Sequence, residues 1–221
     1  MSGKGRGLGI AAAVVGLLGL VLAFGGFAYG REAYGTSRVA STSMEPSYER
    51  GDRIVFERVD GSEVRRGDVV LYAAPGRYGF DELVMQRVVG VGGDRLVCCT
   101  GGRLALNGKP LAEPYVRDGD ADGARKAYDV TVPRGRLFLL GDHRANSMDS
   151  RFFEDDHDGT VAASAVRGRI TEEYTAPLLL TATMLLGAGL VLTGVGLGIA
   201  CLVVRRRAAA AARPPWPAPA A

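Results

Sequence analysis

A mostly β domain held between two transmembrane α-helices is what this sequence predicts, and three observations carry the prediction. Two stretches, Leu8 to Tyr29 and Pro177 to Val204, contain no charged residue, and each reaches the roughly 20 residues that cross a bilayer as a helix. Between them, short alternating apolar runs are broken by turn residues, the pattern of strands rather than helices. Asn107-Gly108, set between "LAL" and "KPL", is a strong hairpin signal, because a two-residue turn needs positive φ at its centre. Hairpins pair strands antiparallel, so the class is antiparallel β flanked by two helices.

In chain order, residues 1–7 carry Lys4 and Arg6, residues 8–29 form the first span, and residues 30–174 the β-rich domain. The second span is 177–204, and 205–221 is a basic, Pro- and Ala-rich tail. Basic residues next to spans favour the cytoplasmic side. Lys4 and Arg6 before the first span and Arg205 to Arg207 after the second give the same answer: both termini in the cytoplasm, the domain outside the cell membrane. A cleaved secretory signal ending near Ala23-Phe24-Gly25 is the alternative for the first span, but the run exceeds the roughly 7 to 15 apolar residues of such signals. Gly194 and Gly198 form a small-xxx-small pair that lets another helix approach closely.

Within the domain the strand candidates are "DRIVFERV", "GDVVLYAA", "LVMQRVVGVGG", "DRLVCCT", "RLALNGKPL", "AYDVTVP" and "GRLFLLGD". Pro114 to Tyr128 reads as a polar loop, and the tail from Ala208 as disordered. All 24 acidic residues lie between Arg31 and Glu173 beside 21 of the 27 basic ones, so the domain is net negative and shows no nucleic-acid footprint. Cys201 is a small filler in the second span. Adjacent Cys98 and Cys99 join only through a tight ring, which leaves free thiols and a labile link both open. No disulfide framework and no metal-ligand spacing is present.

Chemistry-bearing residues gather in three places. "STSMEPSYERGD" puts Ser41 and Ser43 ahead of a Glu-Pro step, which alone is ordinary turn chemistry. "QRVVGVGGD" runs from Gln86 to Asp94. "GDHRANSMDSR" packs Asp142, Arg144, Asn146, Ser147, Asp149 and Arg151 into one segment where the buried-looking "RLFLL" strand emerges. A loop locked by paired Asp and Arg residues is the plain structural reading of that density.

Together these segments resemble bacterial type I signal peptidases, membrane-anchored serine endopeptidases that remove signal peptides from exported proteins. The resemblance covers most of residues 8 to 171. It consists of Ser-x-Ser-Met-x-Pro directly after an N-terminal helix, the following "GD", "RRGDVV" from Arg65 to Val70, "RVVGVGGD", and Gly-Asp-x-Arg-x-Asn-Ser-x-Asp-Ser-Arg. It implies Ser43 as nucleophile, with the Ser43 N–H and the Ser41 hydroxyl as the oxyanion hole and Met44 and Pro46 shaping the turn. It further implies Ser147 beside the catalytic base, and Arg87, Asp142, Asp149 and Arg151 fixing the loops through ion pairs. No cofactor is implied. The partners implied are signal peptides and the lipid bilayer.

The family's general base is a lysine immediately before the arginine of the "RVVG" run, and here that position is Gln86. An amide has no useful basicity, whereas a buried lysine has its pKa depressed far enough to accept a proton. The neighbours are Val84, Met85 and Arg87, and arginine stays protonated. Lys109 and Lys126 read as solvated charges, His157 as a solvated loop residue, and His143 as the better-placed substitute base. Two expectations follow: a signal peptidase cleaving after small-x-small sites, or a catalytically impaired relative that binds signal peptides or membrane partners.

Overall fold

The charge-free stretches become α1 (Gly3–Ala33) and α2 (Thr175–Ala211) in the computed structural model, which describes residues 3–79 and 83–211. Both helices are long and apolar enough to cross a membrane. In lipid a helix satisfies its own backbone. The hydroxyls on α2 behave alike: Thr181, Thr183 and Thr193 each donate to the carbonyl four residues back. Of the predicted glycine pair, Gly194 meets α1, where a Cβ would lie 2.7 Å from Gly16 Cα, whereas Gly198 faces open space. The residues of α2 that pack are Gly187, Gly194 and Cys201, spaced seven apart, so the helical repeat selects them rather than the four-residue motif. The helix also continues through Ala208–Ala211, because alanine favours helix over the disorder expected there. The rest of that tail lies outside the described residues.

The helices belong to one compact unit and residues 33–172 form another. The second unit is antiparallel β throughout its described ladders. Its strands are β1 (Tyr34–Arg38), β2 (Arg53–Glu57), β3 (Val69–Tyr72), β4 (Val84–Val91), β5 (Arg95–Thr100), β6 (Arg103–Leu106), β7 (Lys109–Pro110), β8 (Tyr128–Thr131), β9 (Arg136–Leu140), β10 (Val161–Ala162) and β11 (Val166–Ile170). One sheet runs β1-β2-β11-β3-β4-β9-β10 and the other β7-β6-β5-β8. Between β6 and β7 the predicted hairpin turn is present, with φ of 52° at Asn107 and 79° at Gly108.

Strands β4 and β9 are buried on both faces, since successive side chains alternate across a sheet. Val88, Leu137 and Leu139 pack with Val70 and Tyr72 on one side. Val89, Phe138 and Leu140 pack on the other with Leu96, Leu104 and Leu106 of the second sheet. The cluster containing Tyr72 forms the wall behind Gln86.

Sequence reading misses β1, β10 and the central β11. Strand β10 has only two residues, and in β1 and β11 Gly35 and Gly168 interrupt the apolar alternation, yet a Cβ at either would lie 2.2 or 2.3 Å from the Phe56 ring. The glycines make room for that ring across three neighbouring strands.

Cys98 and Cys99 are joined by a disulfide, so of the two states left open the structure shows the link. Asp122 Oδ1 stands 3.9 Å from Cys98 Sγ. These three side chains have the proximity of metal ligands, but the disulfide leaves neither sulfur as a thiolate.

Candidate functional site

Ser43 sits on an excursion between β1 and β2 that is closed at its neck. Val39 N–H donates to Asp52 O at 3.0 Å and Gly51 N–H returns to Val39 O at 2.8 Å. Inside the loop, Ser, Thr and Pro supply turn chemistry. Glu45 N–H donates to Thr42 O, Tyr48 N–H donates to Met44 O, and the Glu45-Pro46 bond is cis. Met44 is 1% exposed and anchors the turn. Ser41 Oγ and Ser43 Oγ are 2.9 Å apart, so both hydroxyls share one corner of the loop.

The segment after β9 forms the opposite wall. His143 N–H donates to Ser43 O at 3.0 Å. Gly141 is the closest approach: a Cβ there would lie 2.3 Å from Ser147 Oγ and 2.6 Å from Ser43 O. Asp142 is fully buried and receives two bonds from Arg87, at 2.8 and 2.6 Å, and one from Ser47 Oγ at 2.6 Å. Asp149 receives Arg151 through two bonds of 2.7 and 2.8 Å and also accepts the Gly141 N–H at 3.1 Å. These are buried, charge-assisted, bidentate pairs, the geometry in which an ion pair holds a loop rather than decorating a surface.

Gln86, on β4, is 1% exposed. Burying an amide requires partners for both its ends, and both are present. Tyr72 Oη donates to Gln86 Oε1 at 2.7 Å, and Gln86 Nε2 donates to Met148 O at 2.9 Å. Tyr78 Oη lies 2.8 Å from Tyr72 Oη. Burial pushes both phenols above their ordinary range, with the neighbouring Tyr78 adding to the effect at Tyr72. Both therefore remain protonated donors at neutral pH. Ser147 Oγ, next along the chain from Met148, is buried and has no hydrogen-bond partner among the described residues.

The residues singled out in the sequence thus converge. Ser41, Ser43, Met44 and Pro46 form one loop, Arg87, Asp142, Asp149 and Arg151 brace the wall facing it, Ser147 packs on Gly141 beside it, and Gln86 is tied to the chain at Met148. His143 does not reach the serine hydroxyl with its ring: Nδ1 lies 3.3 Å from Thr42 O and 3.4 Å from Arg117 Nη1. His157 is exposed beside Asp156, and Lys126 pairs with Glu154. Sequence reasoning misses Tyr72, Tyr78, Ser47, Glu113 and Tyr115. The available signal was a tyrosine inside the otherwise aliphatic "VVLY" run and an acid flanking the Pro-Tyr step of a supposed loop.

Ser41 and Ser43 open onto a cleft of about 720 Å³ whose apolar walls include Val39, Ile54, Leu71 and Val84. Strand β9 ladders to β4 from Arg87 onward, so among the described residues Val84 to Gln86 are laddered to β3 alone. The cleft therefore runs past a stretch of strand able to accept another strand.

A sequence profile of the family described as "Signal peptidase, peptidase S26" matches residues 9–175. The signal peptidase I of Leptolyngbya laminosa is 33% identical over 166 residues, covering 71% of this chain and 75% of that protein. The signal peptidase I of Bacillus caldolyticus is 32% identical over 149 residues, covering 62% and 76%. A probable signal peptidase I of Mycobacterium leprae (strain TN) is 28% identical over 187 residues, covering 59% and 65%, so the chain spans just under two thirds of that relative. Among solved structures, a signal peptidase I from Enterococcus faecalis V583 is 26% identical, with 49% of this chain and 97% of that one covered and a TM-score of 0.38.

Proposed function

Since the chain belongs to the signal peptidase family of peptidase S26, we propose that it binds signal peptides of exported preproteins in the cleft beside Ser43 and cleaves them there, after small-x-small sites. The peptide adds as a strand along Val84 to Gln86, its main chain supplying the bonds, and the apolar cleft takes its small side chains. Ser43 Oγ attacks the scissile carbonyl, and the oxyanion is met by the Ser43 N–H and the Ser41 hydroxyl. The Ser41 Oγ to Ser43 Oγ distance of 2.9 Å is the observation that carries this reading. Collapse expels the amine of the mature chain, which takes up through solvent the proton that Ser43 gave up, and leaves an acyl ester on Ser43, which water hydrolyses. Ser43 follows Tyr29 by about 14 residues, a reach of at most roughly 50 Å, which suits substrates that are themselves membrane-tethered.

Attack releases the Ser43 proton, and Gln86 has no basicity with which to take it. Turnover by this chain is then slow, at the level of about 10³ to 10⁴ over water that binding and an oxyanion hole sustain in a serine protease lacking its base. The bonding of Gln86 at both ends of its amide favours a second reading, in which the chain is an impaired relative that holds signal peptides or membrane partners without cutting them.

Cleavage of a preprotein in detergent by wild type, Ser43→Ala and Gln86→Lys separates the readings. Slow cleavage abolished by Ser43→Ala supports the peptidase. Binding without cleavage in wild type, with cleavage appearing in Gln86→Lys, supports the binding role. Neither binding nor cleavage by any variant refutes both.

A further inference from the structure

Both backbone polar groups of Gly141, the residue packed against Ser43 O and Ser147, are held by buried ion pairs. The N–H goes to Asp149, the partner of Arg151. The carbonyl accepts from Arg144 Nε at 3.0 Å. Arg144 is 1% exposed at its side chain and closes on Glu113, 4% exposed, through bonds of 2.5 and 3.2 Å. Its Nη1 also donates to Ala121 O, and its own carbonyl accepts from Arg151 at 2.8 Å.

Glu113 follows β7 in the second sheet, at the edge of the stretch that reads as a polar loop. The same stretch holds the Gly141 wall at other points and reaches the Ser43 loop at Glu45. Tyr115 Oη donates to Glu113 Oε1 at 3.1 Å, and its ring lies 4.1 Å from the Arg87 guanidinium that binds Asp142. Arg117 N–H donates to Asp142 O at 3.0 Å, and its guanidinium donates to Glu45 at 2.5 Å. Gly123 fits against the Arg144–Ala145 backbone, where a Cβ would lie 2.6 Å from Ala145 N.

We infer that residues 113–123 are a buttress that sets the geometry of the Ser43 site, with Glu113 and Tyr115 as positioning residues acting through Arg144 and Arg87. A buried ion pair is a poor source of net stability compared with apolar packing of the same volume. What the Glu113 and Arg144 pair provides is a directed bond to one carbonyl, and that carbonyl belongs to the residue against which the Ser43 turn is packed. The functional consequence rests on the assignment of Ser43 as the reactive serine; the mechanical one does not.

The test is hydrogen exchange by mass spectrometry on the full chain in detergent, together with the affinity for a fluorescent signal peptide. Glu113→Gln leaves Arg144 buried without its carboxylate, so exchange in segments 41–48 and 139–147 rises about tenfold or more while the β1 to β2 and β5 to β8 ladders keep wild-type rates. Peptide affinity falls about tenfold, and Glu113→Asp recovers part of both effects. Tyr115→Phe keeps the ring over Arg87 and loses one bond, giving roughly a threefold rise in the same two segments. Wild-type exchange in Glu113→Gln overturns the inference, as does a rise spread evenly over the domain, which marks a residue of general stability only. If wild type binds no signal peptide, the proposed function fails while the exchange data still judge the buttress.

Discussion

Two polar walls join at Ser147 and Met148, one of them packed on the Ser43 turn, and they are built from opposite materials. The Gly141 wall is made of charges: Asp142 with the half-buried Arg87, and the deeply buried pairs Asp149 with Arg151 and Glu113 with Arg144, all hydrogen-bonded. The Gln86 wall is made of neutral groups: an amide, two phenols, a carbonyl and the unpartnered Ser147 hydroxyl. One wall packs against the Ser43 turn; the other is, on the proposed reading, where a proton acceptor would have to stand, and none of these described groups ionises near neutral pH. On that reading scaffold and proton chemistry are encoded separately in this chain, and one can change while the other is kept.

The largest test of that contrast is Gln86→Lys. If the braced wall already holds Ser43 ready, cleavage of a preprotein rises by about 10³-fold or more, because loss of the general base costs on the order of 10⁶-fold in a related chemistry. The gain should grow with pH, since a buried amine is a base only when neutral and burial lowers its pKa. An unchanged rate would mean that the charged wall does not by itself assemble the site.

Breaking the charged wall comes next. Asp149→Ala leaves Arg151 buried and unpaired, at a cost of about 3 to 5 kcal/mol. Urea unfolding of the full chain should show it as a lower midpoint with an unchanged slope. Gly141→Ala is smaller, about 1 to 3 kcal/mol for overpacking against Ser147 and Ser43 O, and Gly141→Ala combined with Ser147→Gly should recover part of it.

The neutral wall gives the mildest response, and it is sharpened by pH. Tyr72→Phe strands the Gln86 carbonyl, costing about 1 to 3 kcal/mol. The Tyr72 phenol, raised by burial and then by Tyr78, binds its proton more tightly in the folded state. Its contribution is thus fully present below the unfolded tyrosine pKa of about 10 and is lost as pH rises beyond that. Unfolding curves between pH 8 and 11 should fall more shallowly for Tyr72→Phe than for wild type. Equal slopes would remove Tyr72 from the account.

What the sequence made legible follows from what each signal depends on. The two helices, eight of the strands and the Asn107-Gly108 turn are local in origin, so charge, alternation and turn chemistry reveal them. Strand β11 was hidden because Gly168 looks like a breaker until Phe56 is seen lying against it. The Ser43 loop and the Asp142 to Arg151 segment were visible as motifs. Glu113 was not, because its partner Arg144 is 31 residues away, and an ion pair across that separation leaves no periodic trace. Tyr72 was hidden for a similar reason: its ring belongs to the core, and only its hydroxyl belongs to the site.

The closed neck at Val39 and Asp52 carries one more consequence. The sheet registers of β1 and β2 resume directly outside it, with Arg38 opposite Arg53, so the loop bearing Ser43 is a cassette whose length the ladder does not sense. Closure entropy grows only slowly with loop length. The loop bearing Ser43 can accordingly be lengthened, shortened or exchanged for another as a unit, and the framework on which it is mounted would register the change through the buried Met44 and the bonds the loop makes to Arg87, Arg117, Asp142, His143, Asn146 and Glu172.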